Sequence, residues 1–143
     1  MNAYDKLYLE AARNNLGRML EYAVYDLGFE IEVFWDLFVN SDVADRFSRG
    51  DVSVIVGRSG VELALEVANI TDGYKVPTYS ESKSEEYWTG WALAYYQWDT
   101  GLTFKSITNG VLIKEIKLLY SPYHEMDIRQ FCDKIHEMCC ESQ

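Results

Sequence analysis

The residues of this chain that could perform acid–base, nucleophilic or metal chemistry are few and poorly grouped. Its histidines are His124 and His136, and its cysteines are Cys132, Cys139 and Cys140. His124 stands beside Glu125 and three residues before Asp127, so an imidazole and carboxylates could exchange a proton there. At the start of a helix the same acids serve the macrodipole and solvent equally well. Cys132, His136 and Cys140 recur every four residues on one helix face, with Glu137 and Cys139 beside them. Thiolate and imidazole suit zinc, but a structural zinc takes four ligands in a tetrahedron, usually from separate elements. No Cys-x-x-Cys pair occurs, and a small-residue packing face with a surface histidine is the simpler reading. No metal or other cofactor is expected. Ser59 of Arg58-Ser59-Gly60 fits a helix cap better than a nucleophile. Neither Gly-x-Gly-x-x-Gly nor a Walker loop is present to hold a nucleotide. The chain therefore reads as non-enzymatic, with a small enzyme using His124 as acid/base as the rival.

Carboxylates are plentiful. Twenty-three acids against thirteen bases give a formal net charge of −10. Nucleic acid is held by neutralising phosphates with Lys and Arg, and anionic membranes attract the same residues, so neither is an expected partner. The acids concentrate between Glu21 and Asp51: Glu21, Asp26, Glu30, Glu32, Asp36, Asp42, Asp45 and Asp51, against Arg46 and Arg49. Short helices joined by tight turns there resemble a helix-turn-helix, but that charge forbids close approach to a major groove. A charge run is most simply a solvated face. The functional alternative is a surface matched to a basic protein partner, with Glu30, Glu32, Asp36, Asp42 and Asp45 as its contacts.

The stretch from Tyr87 to Trp98 is the most distinctive, because six of its twelve residues are aromatic. Trp88, Trp91, Tyr95 and Trp98 fall on one helical face, and Gly90 and Ala94 are small enough for a neighbouring helix to come close. Such a stripe most simply forms a central core helix. The alternative places part of it, above all Tyr96 on the other side, at an interface, where Tyr and Trp often dominate binding. Base stacking is excluded by Glu85, Glu86 and Asp99 around it.

The elements that must position these residues are nearly all helical. Apolar residues recur at helical spacing from Tyr4 to Leu27, and Gly28 supplies the stop. A second helix covers Ile31 to Val39. A third covers Asp42 to Phe47, capped by Ser41 or Asp42. Val52 to Val56 is β-branched, yet no partner strand is evident, and a buried helical turn is the better assignment. Ser59 to Glu62 is a capping box opening another helix, and Ser82 to Glu85 is a second, opening a helix that Gly101 ends. Thr71 to Ser80 is a surface loop. A turn at Thr103 to Ile107 leads to a helix over Val111 to Tyr120. Ser121-Pro122 then starts a last helix reaching Cys139. The expectation is an all-α fold: one domain over residues 1–143, with six to eight helices around the aromatic-rich one.

The chain has 143 residues, no apolar stretch near the ~20 that cross a bilayer, no visible secretory signal and an odd, clustered set of cysteines. Reduced thiols in a cytoplasm fit that pattern. The stretches Ala23 to Gly28, Phe34 to Phe38, Ser59 to Ala64 and Tyr87 to Trp98 resemble a family of small, uncharacterised, acidic bacterial proteins encoded near toxin–antitoxin-like genes. The resemblance runs from about Tyr4 to Ile135, and Trp88-Thr89-Gly90-Trp91-Ala92 is its most specific part. It implies a bacterial cytoplasm and neutralisation of a toxin, and it implies no functional residues. The favoured function is an antitoxin- or inhibitor-like module that covers a basic partner, a toxin or a nuclease. A second binding reading is a phage-derived, anti-CRISPR-like inhibitor that mimics nucleic-acid charge.

Overall fold

The structure, a computed structural model, describes residues 2–71 and 84–141. Among the described residues all regular structure is helical, and no strand occurs. A 3-10 turn, Lys6–Tyr8, precedes ten α-helices: α1 Leu9–Tyr25, α2 Ile31–Val39, α3 Asp42–Ser48, α4 Val52–Ile55, α5 Gly60–Val67, α6 Glu85–Thr100, α7 Phe104–Gly110, α8 Ile113–Leu118, α9 Tyr120–Tyr123 and α10 Ile128–Glu141. They build one compact domain. Ten exceeds the expected six to eight because the C-terminal third breaks into more and shorter helices than its hydrophobic pattern announces. The expected loop from Thr71 to Ser80 lies, from residue 72 onwards, outside the described residues.

Where helices begin and end follows local chemistry. Gly28 adopts φ +80°, which lets the Phe29 N–H reach back to the Ala23 carbonyl at 3.0 Å and close α1. At Ser59 both halves of the capping box form: Ser59 Oγ accepts from the Glu62 N–H at 3.1 Å, and the Glu62 carboxylate accepts from the Ser59 N–H at 3.0 Å. Val52–Ile55 is indeed a helical turn, capped by Asp51.

Helix α1 covers only Leu9–Tyr25 of the expected Tyr4 to Leu27, and three later boundaries also differ from expectation. Ser84, not Ser82, caps α6, accepting from the Tyr87 N–H at 3.0 Å. Val111 is extended, at φ −135° and ψ 118°, so the helix expected over Val111 to Tyr120 starts late, and α8 covers only Ile113–Leu118. Pro122 does not open the last helix. Ser121 before it is held out of the helical region, as residues preceding proline are, and Asp127 caps α10 by accepting from the Arg129 N–H at 2.8 Å.

Helix α1 is the hub, packing most extensively on α6 and then on α5. Both crossings depend on missing side chains. A Cβ on Gly90 would stand 2.6 Å from the Leu16 carbonyl oxygen and 2.8 Å from the Gly17 Cα. One on Gly60 would stand 2.6 Å from the Asn15 carbonyl oxygen. Backbone therefore meets backbone, and nothing flexible can give way. Below these crossings Phe38 of α2, Phe47 of α3 and Phe104 of α7 join Trp35 in a cluster of edge-on and tilted aromatic contacts 5.0–5.8 Å apart. This cluster fixes α2 against α7. It sets the position of everything on α2's other faces.

Candidate functional site

Helix α2 is nine residues long, Ile-Glu-Val-Phe-Trp-Asp-Leu-Phe-Val, and its 3.6-residue period divides it into three faces. Ile31, Phe34, Trp35 and Phe38 are buried. Glu32, Trp35, Asp36, Val39 and the following Asn40 line a groove of about 340 Å3, closed on its far side by Lys105, Thr108 and Asn109 of α7 and by Leu112, Ile113 and Lys114 at the start of α8. The third face carries Val33 and Leu37, which are 53% and 43% exposed.

The groove has an apolar floor and a polar rim. Trp35 is almost wholly buried, and its indole N–H donates to Thr108 Oγ at 2.9 Å, while the Thr108 hydroxyl donates to the Phe104 carbonyl at 3.0 Å. That relay locks the indole in place. Lys105 Nζ donates to Asn40 Oδ1 at 3.0 Å, and the Asn40 amide nitrogen donates to the Asp36 carbonyl at 2.8 Å.

The expected contact residues separate into three groups. Glu30, Glu32 and Asp36 are exposed on or at the start of α2, and among the described residues none joins an ion pair. Asp42 and Asp45 are exposed on α3 but are locally answered: Arg49 lies 2.9 Å from Asp45, and Arg46 lies 3.7 Å from Asp42. Arg46 is held mainly by Asp51 at 2.8 Å. Hydrogen bonds from Ser53, and then from Arg46, bring the Asp51 carboxyl down to about 2. Tyr96 belongs to neither helix and is corrected: at 3% exposure it sits in the core and offers a partner nothing. The rest of the aromatic stripe is also packing. Trp88 stands edge-on to Phe131 and Tyr120, and the Arg13 guanidinium lies 3.4 Å over the half-buried Trp91 ring.

Two acids of the sequence are structural. Glu21, counted above in the acidic stretch, is fully buried on α1; it accepts from Arg18 at 2.8 Å and from the Ser84 hydroxyl at 2.9 Å. Glu86 on α6 is nearly as buried and takes Tyr25 Oη at 2.9 Å and Lys117 Nζ at 3.0 Å. Each buried carboxylate thus has a cation and a hydroxyl, as a charge removed from water requires.

The other chemistry-bearing residues do not converge. His124 is exposed, stacked on Tyr120 at 3.9 Å, with Nδ1 2.6 Å from the Tyr120 carbonyl and Nε2 3.4 Å from Glu125; it does not line the groove. Cys132 is buried, and burial, with Asp99 and Asp133 adding, pushes its thiol up to about 12. His136 is exposed on the same helix. The Cys140 side chain lies outside the described residues. Among the described residues no three His, Cys, Asp or Glu side chains group as metal ligands, and no helix is long and apolar enough to cross a membrane.

Reading the sequence alone missed the two lysines, Lys105 and Lys114, which come from a segment some seventy residues further on. No local pattern marks them. Comparison with protein families, with curated proteins and with solved structures finds no match.

Proposed function

We propose that this domain is a non-enzymatic, antitoxin- or inhibitor-like protein of a bacterial cytoplasm, which docks a basic partner protein, a toxin or nuclease, on the outer surface of α2 and the adjoining α3. One observation carries this reading: Glu30, Glu32 and Asp36, none answered by a cation among the described residues, surround the exposed Val33 and Leu37 on a single short helix. Apolar side chains at the centre of a contact supply affinity, and the charges around them set orientation and association rate. Asp42 and Asp45 extend the negative field with less force, because Arg46 and Arg49 partly answer them.

Co-purification with the products of neighbouring genes is the test, followed by kinetics with Glu32→Lys and Asp36→Lys. Association that slows as salt rises, and slows about tenfold or more on charge reversal, supports the proposal. A partner whose binding ignores both changes sinks it. Competition by DNA or guide RNA for the partner would redirect the reading to a nuclease inhibitor that imitates nucleic-acid charge.

A further inference from the structure

Four charges around the groove between α2 and α7–α8 are left over by the fold. Glu32 and Asp36 project from α2 one turn apart, and Lys105 and Lys114 come from the second positions of α7 and α8. Among the described residues none of the four is in an ion pair, whereas Lys117 on the same α8 is matched with Glu86. Lys105 meets a neutral amide, that of Asn40, whose nitrogen donates in turn to the Asp36 carbonyl at 2.8 Å and, more distantly, to its carboxylate at 3.5 Å. Carboxylates and ammonium groups thus face one cleft without pairing directly, and between them lie the immobilised Trp35, with Val39 and Ile113. The cleft volume, about 340 Å3, is near the lower end of the roughly 300–1,000 Å3 of small-ligand sites.

We propose that this groove binds a small zwitterion bearing an apolar group: a free α-amino acid of the leucine or phenylalanine kind. Its ammonium meets Glu32 and Asp36, its carboxylate meets Lys105 and Lys114, and its side chain lies over Trp35, Val39 and Ile113. Charge-assisted hydrogen bonds at both ends are stronger than neutral ones and gain from a partly dry floor. A pure cation would leave the lysines facing like charge, and a pure anion would do the same to the acids. A zwitterion answers both. The site stands independently of the protein partner proposed above, although Glu32 and Asp36 belong to both surfaces, so an occupied groove and a docked partner exclude each other.

Calorimetric titration of the full chain with L-leucine and L-phenylalanine, followed in parallel by the Trp35 indole N–H resonance, tests this. Saturable binding in the millimolar range or tighter is expected. N-acetyl-L-leucine, which lacks the ammonium, and L-leucinamide, which lacks the carboxylate, should each bind about tenfold more weakly. So should the parent amino acids with the Glu32→Gln/Asp36→Asn and the Lys105→Gln/Lys114→Gln pairs; all four positions are exposed, so these variants keep the fold. Absence of saturable binding, equal affinity for the blocked derivatives, or indifference to both pairs of substitutions would each overturn the proposal.

Discussion

The crossing of α1 with α6 and the groove between α2 and α7–α8 are made from the same materials, yet they treat charge in opposite ways. Each seam has aromatic rings, carboxylates and cations. At the first, backbone touches backbone across Gly17 and Gly90, and the carboxylates beside it, Glu21 and Glu86, are each given a cation and a hydroxyl. At the second, the walls stand apart, and Glu32, Asp36, Lys105 and Lys114 are held around an opening with no direct ion pair between them, Asn40 bridging Lys105 to Asp36. A charge the fold must bury is answered within the fold. A charge left unanswered beside a rigid apolar floor is available to something outside it.

The sharpest way to break this contrast is Gly90→Ala. A methyl group 2.6 Å from a backbone carbonyl forces α1 and α6 apart. Even after the helix propensity of Ala is credited, a loss of about 3 kcal/mol is expected in urea unfolding. An unchanged midpoint would mean the seam is slack. Next comes Arg18→Met, which strands the fully buried Glu21 with only a hydroxyl; about 2 kcal/mol should go, and Arg18→Met with Glu21→Met should recover much of it. Recovery separates the cost of an unpaired charge from the cost of lost packing. By contrast, Glu32→Gln with Asp36→Asn should move stability by no more than about 0.5 kcal/mol, because neither exposed acid joins an ion pair among the described residues and Asp36 gives up only a long, exposed hydrogen bond from Asn40 at 3.5 Å. A larger loss would place the groove's charges on the same footing as those of the seam.

Two smaller effects sharpen the comparison. Burial raises the Cys132 thiol to about 12, so in the folded chain Cys132 should resist alkylation at neutral pH and react once urea unfolds the domain; mass spectrometry of the labelled peptides reads this directly. Asp51 moves the other way, down to about 2 from an ordinary value near 4, chiefly through Ser53 and then Arg46. Its contribution is therefore present above about pH 4 and fades as pH falls towards 2. Asp51→Asn should flatten that limb of the acid-unfolding profile slightly. An unaltered profile would show the α3–α4 clasp to be idle.

Much of this architecture is legible in the amino-acid sequence. Helix α2 was expected at its observed limits, and so were the Gly28 stop and the Ser59 capping box, because each is decided by side chains within a few residues of one another. What was not legible depends on competition or on distance. The capping-box spacing to Glu85 pointed to Ser82; the helix uses Ser84, whose hydroxyl also reaches Glu21 on another helix. Pro122 carries the usual mark of a helix start, but the residue before it is extended and Asp127 offers the better cap. Tyr96 failed as a surface residue because the aromatic helix is enclosed on nearly every side, which periodicity along one strip does not reveal. Half of the candidate site, Glu32 and Asp36, was visible as acidic spacing. The lysine half was invisible because it lies across the fold.

That separation along the chain has a consequence for the timing of activity in a cell. The Trp35–Thr108 and Asn40–Lys105 hydrogen bonds that set the groove span 73 and 65 residues. A ribosome must therefore release Lys114 from its exit tunnel before both walls exist, and until then α2 is an acidic amphipathic segment without a floor to its cleft. The groove, unlike the outer face of α2, therefore takes shape only when both segments have emerged and met.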